Sequence, residues 1–125
     1  QGLDLEALLE MIRDGEDDDD DAQVRACIAL NERLSRMSTD SKSQEAFALK
    51  GVSCVLKALH MRGMTSQGLA LQGLILLRRL GGIVPSDCKI FAEPYGAKAV
   101  VDALCAHAMS ASVQNAGCRA IVALS

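Results

Sequence analysis

Apolar side chains recur along the chain with the spacing of helices that bury one face. The clearest stripe places apolar residues at i, i+3, i+4 and i+7, and its members are Val52, Val55, Leu56 and Leu59. Similar stripes predict helices over residues 5–12, about 67–80, 100–104 and about 112–124. Only Phe47, Phe91 and Tyr95 are aromatic and Trp is absent, so the core must be aliphatic. This composition favours packed helices over a β sandwich, and the predicted fold class is all-α.

The chain also contains an internal repeat. Residues 45–81 align with residues 89–125 at an offset of 44 to 45 positions. The matched pairs are Phe47 with Phe91, Gly51 with Gly96, Val55 with Val100, Leu59 with Leu104, Leu69 with Val113, Gly73 with Gly117, and Leu80 with Leu124. A period of this length is typical of helical repeat arrays, in which each unit buries its apolar face against its neighbours.

Each full unit predicts a short first helix, a middle helix and a long third helix. In the earlier unit Ser41 and Gln44 form a capping box at the start of the first helix, and Gly51 supplies its left-handed stop. Gly63 closes the middle helix of that unit. In the later unit Ser86 caps the first helix, and Pro94 helps to end it.

The first 35 residues are the end of a third copy whose first helix is missing. Asp4 is its N-cap, and the predicted units are a partial repeat over 1–37 and full repeats over 38–82 and 83–125, in a single domain. The chain begins Gln-Gly without Met, which indicates a piece of a longer protein.

The stretch "GAKAVVDALCAHAMSASVQNAGCRAIVALS" (96–125) most clearly resembles the armadillo repeat. HEAT repeats are close neighbours that lack the short first helix, and Phe47 and Phe91 before the glycines favour armadillo. The resemblance implies an armadillo-like α-solenoid, a right-handed superhelix of about two and two-thirds repeats. It also implies that the third helices line a concave groove, where an asparagine near each helix end holds the backbone of an extended peptide.

The sequence departs from the armadillo pattern at the groove. The asparagine position is occupied by Arg33, Arg79 and Ala123, and the tryptophan position of importin alpha by Ala29, Ile75 and Arg119. A reader of nuclear localisation signals is therefore disfavoured. Asn31 fits the asparagine position only in a shifted register, which would place Glu32 where a core leucine belongs.

Residues spaced by four on the third helices share a face and define the candidate binding surface. Its proposed contact residues are Arg25, Arg33, Ile75, Arg79, Asn115 and Arg119. Such a surface is basic with an apolar middle, and it suits a protein or peptide segment carrying acidic residues, because guanidinium groups pair bidentately with carboxylates. The alternative is that these arginines are solvated and cover apolar neighbours with their stems.

The predicted function is a protein–protein interaction module or scaffold. Two alternatives stay open: a structural segment that packs against another domain of its parent chain, and a solenoid unit that self-associates through exposed repeat ends. Nucleic acid is not an expected partner, because no interleaved aromatic platform accompanies the arginines and residues 14–21 carry seven acidic side chains.

The sequence carries no catalytic motif, so we expect neither enzymatic activity nor a cofactor. The five cysteines include no C-x-x-C pair, which favours reduced side chains in the cytoplasm or nucleus. Cys105 and His107 are two positions apart and would point to different sides of a helix, so no metal site is expected. His60 and His107 suit the ends of the two middle helices. No apolar run is long enough for a membrane span, and no leader is present.

The acidic run "DGEDDDDD" (14–21) masks a basic scaffold, since the remaining chain has 13 basic and 9 acidic residues. We interpret the run as a lengthened loop that joins a helix ending near Arg13 to one starting near Ala22. Asp20 or Asp21 would cap that second helix. Calcium binding is an alternative, although the loop lacks the Gly that follows the aspartates of calcium-binding loops.

One hypothesis for this run is that it competes with acidic partners for the basic surface. Replacing residues 16–21 with Gly and Ser should then strengthen the binding of an acidic peptide, measured by fluorescence anisotropy. Unchanged affinity would eliminate the competition.

Overall fold

All regular structure in the described residues is helical. The computed structural model of the chain describes residues 5–14, 20–36, 43–83 and 96–124. Its helices are α1 (Leu5–Asp14), α2 (Asp20–Ser35), α3 (Ser43–Ala58) with a π-helical continuation (Leu59–Gly63), α4 (Gln67–Gly81), α5 (Gly96–Ala106) and α6 (Ala111–Leu124). The all-α prediction is confirmed for this part of the chain.

The helices contact one another in two rows. In one row α2 contacts α4 and α4 contacts α6, and in the other α1 contacts α3 and α3 contacts α5. Consecutive helices pair across the rows, α1 with α2, α3 with α4, and α5 with α6. Helix α4 is the central member, because it touches α2, α3, the π-helical segment and α6.

The core is aliphatic, as the composition predicts. Helix α4 alone buries seven residues, which are Leu69, Ala70, Gly73, Leu74, Leu76, Leu77 and Leu80. Full burial of a leucine side chain contributes about 1.5–3 kcal/mol, so this helix supplies a large share of the apolar stabilisation. Phe47 is half-buried and packs against the outside of this core.

Most of the helix predictions are confirmed. Leu8, Leu9 and Ile12 of the first stripe are buried. The helices predicted over 67–80 and 112–124 are α4 and α6, and the middle helix closes at Gly63 as expected. Ser66 caps α4, accepting a hydrogen bond from the Leu69 N–H at 3.1 Å. The predicted caps Asp4, Ser41 and Ser86, the residues Phe91 and Pro94, and loop residues 15–19 lie outside the described residues.

The predicted helix stop at Gly51 is wrong, because α3 continues through this position. Gly51 instead permits close packing. A Cβ atom there would lie 2.9 Å from Leu80 Cδ1 and 3.5 Å from Leu9 Cδ2, so α3 approaches α4 and α1 at once. Gly51 therefore lies where three helices meet. Within residues 43–83, the short first helix that distinguishes armadillo from HEAT units is continuous with α3.

Side-chain hydrogen bonds join the ends of some helices to neighbouring elements. Gln23 Nε2 donates to the Ile12 carbonyl at 2.7 Å, and Gln114 Nε2 donates to the Leu104 carbonyl at 2.8 Å. The two glutamines occupy matching places in α2 and α6, and each binds the last turn of the preceding helix. His107 Nε2 donates to the Gly63 carbonyl at 2.7 Å and joins two successive units. These bonds satisfy carbonyls that a helix end leaves unpaired.

Two glycines provide a matched test of this packing. A Cβ atom at Gly117 would overlap Leu104, with Leu104 Cγ only 2.9 Å away, whereas a Cβ at Gly68 would lie at ordinary contact distance, 3.6 Å from Val24 Cγ2. We expect Gly117→Ala to lower the free energy of unfolding by about 1 kcal/mol, since overpacking outweighs the gain in helix propensity. Gly68→Ala should raise it by about 0.5 kcal/mol. Urea denaturation followed by circular dichroism measures both, and the reverse order would contradict the packing.

Candidate functional site

Helices α4 and α6 lie side by side and run in the same direction. At their starts, Gln67 Nε2 donates to Ser110 Oγ at 3.2 Å. At their ends, Ile83 after α4 and Val122 of α6 line the same depression. A parallel pair places equivalent positions of the two helices opposite each other, so side chains from both helices meet along one seam.

The first half of this seam is a depression of about 400 Å³. Its lining residues are Leu71, Ile75, Arg78, Ser112, Asn115, Ala116 and Arg119. Leu71 and Ile75 are half-buried and pack against the core, which leaves part of each side chain facing outward. The floor is therefore apolar, and polar groups form the rim.

The second half is a depression of about 560 Å³ at the helix ends. Its lining residues are Leu34, Arg78, Arg79, Ile83, Cys118, Arg119, Val122 and Ala123. Arg78 and Arg119 line both halves, so the two depressions adjoin at these guanidinium groups. We refer to the combined feature, lined by these two sets of residues, as the arginine groove.

The arginine groove is positively charged and not neutralised by its own lining. Neither depression has an acidic residue among its described lining residues. Two arginines outside the groove are paired: Arg13 donates to Asp14 at 2.9 Å, a hydrogen bond that lowers the pKa of that carboxyl, and Arg36 lies 3.3 Å from Glu32. In contrast, Arg119 Nε donates to the neutral Asn115 Oδ1 at 3.4 Å.

The structure brings together four of the six residues proposed from sequence. Ile75, Asn115 and Arg119 share the first depression, and Arg79 joins Arg119 in the second. Arg25 and Arg33 lie on α2 and are not among the lining residues of either depression. That difference leaves the proposed site on α4 and α6.

Arg78 is the residue that the spacing argument missed. The i, i+4, i+8 rule selected Arg79 after Leu71 and Ile75, but at 3.6 residues per turn position i+7 lies closer to the axis of this face. Arg78 is that i+7 residue, and it lines both depressions. The signal was present in the sequence as two adjacent arginines.

Asn31 faces a neighbouring helix instead of the groove. Its side chain is 8% exposed, and Nδ2 donates to the Gln72 carbonyl of α4 at 3.4 Å. Oδ1 has no hydrogen-bond partner among the described residues. A role in holding a peptide backbone, which the shifted armadillo register would require, is not supported by this position.

Cys105 and His107 lie at the C-terminal end of helix α5. Helix α5 ends at Ala106, and both residues line a depression at the turn that follows. Even so, the part of the chain that the structure describes contains no group of three or more His, Cys, Asp and Glu side chains suited to a metal ion. The imidazole of His107 donates a hydrogen bond to the Gly63 carbonyl.

The cysteines differ in accessibility. Cys27 and Cys54 are buried, while Cys105 and Cys118 are exposed. Burial raises the pKa of the Cys27 thiol to about 12 and also raises that of Cys54. An unfolded thiol ionises near pH 8.5. Keeping Cys27 protonated therefore contributes stability that is complete below about pH 8.5 and is lost as the pH rises towards about 12.

We expect iodoacetamide to alkylate Cys105 and Cys118 in the native protein at pH 8. Cys27 and Cys54 should react roughly a hundredfold more slowly, because they require local unfolding to become thiolates in contact with water. Mass spectrometry of proteolytic peptides at several reaction times measures the four rates. Alkylation of Cys27 as fast as that of Cys118 would show that the α2 core is open.

Among the described helices, none combines the length and apolarity needed to cross a membrane. The chain matches no protein-family model, and neither the curated proteins nor the solved structures compared with it include a significant match.

Proposed function

We propose that this domain is a protein–protein interaction module that binds an acidic segment of a partner protein in the arginine groove. The observation that carries the proposal is the position of Arg78 and Arg119. Both line an open groove with apolar walls, and the lining residues that the structure describes include no carboxylate to neutralise them. A carboxylate from a partner would accept charge-assisted hydrogen bonds there, which are about twice as strong as neutral ones.

The arrangement of helices supports a fragment of an armadillo-like α-solenoid. Two rows of helices, each contacting the next member of its own row, are consistent with units that stack in one direction. Because α3 is unbroken through Gly51, described residues 43–83 resemble the two-helix form of a HEAT repeat. In an armadillo and in a HEAT arrangement alike, the row of α2, α4 and α6 would provide the binding surface.

The apolar walls favour a protein partner over nucleic acid. Ile75, Ile83 and Val122 offer aliphatic contacts but no aromatic surface on which a base would stack, and the chain as a whole carries a net charge of −3. The groove is smaller than a standard protein interface, so we expect weak binding for an isolated segment, in the range of micromolar dissociation constants or above.

A second candidate is packing against another domain of the parent chain or against a second copy. It is favoured by apolar side chains that remain exposed in the last described unit, Val101 at 48% and Val122 at 76%. Exposed apolar area of this kind marks contact surfaces when it is contiguous. Burial of the arginine groove by another domain, with no affinity for acidic peptides, would favour this alternative.

The test of the proposal compares two labelled peptides, GLEEELG and its neutral counterpart GLQQQLG. Fluorescence anisotropy should detect binding of the acidic peptide, and raising the salt from 50 to 500 mM should weaken it, since exposed charges are screened. Arg78→Gln and Arg119→Gln should each weaken binding about three- to tenfold, which corresponds to about 0.7–1.4 kcal/mol.

Lys98→Gln is the matched control. It removes one positive charge on α5, where Lys98 pairs with Asp102 at 2.6 Å, outside the arginine groove. Its affinity should equal that of the wild type. Equal binding of the two peptides, or equal losses in Lys98→Gln and Arg119→Gln, would refute a groove-specific site.

A further inference from the structure

We infer that the arginine groove selects an extended segment of about five residues with an apolar side chain at each end and acidic side chains between them. The inference rests on the proposed function and adds a specificity to it. Its basis is the order of surfaces along the seam, which is apolar, then cationic, then apolar.

The two ends of the groove are separate apolar compartments. At one end, Leu71 and Ile75 form the apolar wall beside Ser112. At the other end, the wall is formed by Leu34, Ile83 and Val122. Volumes of about 400 and 560 Å³ lie within the usual range of small binding pockets, so each compartment can accept an aliphatic side chain.

The cationic part lies between the compartments. Arg78 from α4 and Arg119 from α6 belong to the linings of both, and Arg79 adds a third guanidinium group on the side of the helix ends. A bound segment therefore passes these groups as it runs from one apolar compartment to the other. Acidic side chains in its middle meet positive charge, whereas acidic side chains at its ends would face apolar walls.

The length of the groove sets the length of the segment. The lining residues of α6 run from Ser112 to Ala123. These two residues are 11 steps apart along the helix, a distance of about 16 Å. An extended chain covers about 3.3 Å per residue, so about five residues span the groove. A segment this short does not form a stable helix by itself, which favours the extended form.

Three peptides separate this specificity from the proposed function. We expect GLEEELG to bind about tenfold or more tightly than GSEEESG, which keeps the charge and lacks both apolar ends. We also expect LGEEEGL, with the leucines displaced outward, to bind less tightly than GLEEELG. Equal affinities of all three would overturn the inference and leave the arginine groove as a site for acidic segments, whereas no binding of any peptide would overturn the proposed function itself.

Two substitutions test the compartments without disturbing the core. Val122 is 76% exposed, so Val122→Ser removes apolar wall at little cost to the fold. Ser112 is exposed at the start of α6, and Ser112→Leu fills the other compartment. Each variant should weaken binding of GLEEELG severalfold and leave that of GSEEESG unchanged. An equal loss of affinity for both peptides would show that the compartments do not bind apolar side chains.

Among the described residues, the exposed Cys105 and Cys118 can show where on the protein the peptide binds. Cys118 lines the second compartment, and Cys105 lies at the α5–α6 turn outside the groove. Saturating GLEEELG should slow alkylation of Cys118 at least about fivefold and leave Cys105 unchanged. Protection of Cys105 instead, or of neither, would place the peptide elsewhere and overturn the inference. A short single-stranded RNA that protects Cys118 better than GLEEELG would overturn the choice of a protein segment.

Discussion

The packing of α4 against three neighbours is the constraint on which the rest of the structure depends. This helix buries seven residues and contacts α2, α3 and α6, while Leu71 and Ile75 on its seam with α6 are only half-buried. With no tryptophan and three aromatic residues in the whole chain, the packing relies on aliphatic side chains and on close backbone approach. Gly51 illustrates the second requirement, because a Cβ atom there would press on Leu80 of α4 and would also contact Leu9 of α1.

The proposed site follows from that packing. Near the end of α4, Arg78 and Arg79 are exposed to solvent beside the buried leucines of the same helix. Because α6 runs parallel to α4, its Arg119 lines the same two depressions of the seam as Arg78 of α4. The charge is thus concentrated by two adjacent arginines of α4 and by the helix packing that adds Arg119 of α6. The hydrogen bond from His107 to Gly63 joins successive units, and the two glutamine bonds join the paired helices within a unit.

Much of the fold was predictable from periodicity, and much of the site was not. Stripes such as Leu8, Leu9 and Ile12 predict α1 because burial of one face at helical spacing is a local property. Gly51 misled the prediction, since a glycine that ends a helix and one that admits a neighbouring helix look alike in sequence. Arg25 and Arg33 shared the predicted face, yet their distance from the α4–α6 seam depends on tertiary packing. Arg78 was missed because the choice between i+7 and i+8 depends on where the neighbouring helix lies.

The most direct test of the central claim is a two-dimensional NMR titration of the isotopically labelled protein with an acidic peptide. The account predicts that backbone amide shifts concentrate at residues 71–83 of α4 and its end and at residues 112–123 of α6, with the largest changes at Arg78 and Arg119. Amides of α1, α3 and the first turns of α5, which form the other row, should remain unchanged. Shifts concentrated on that other row, with the α4–α6 seam unaffected, would contradict the account.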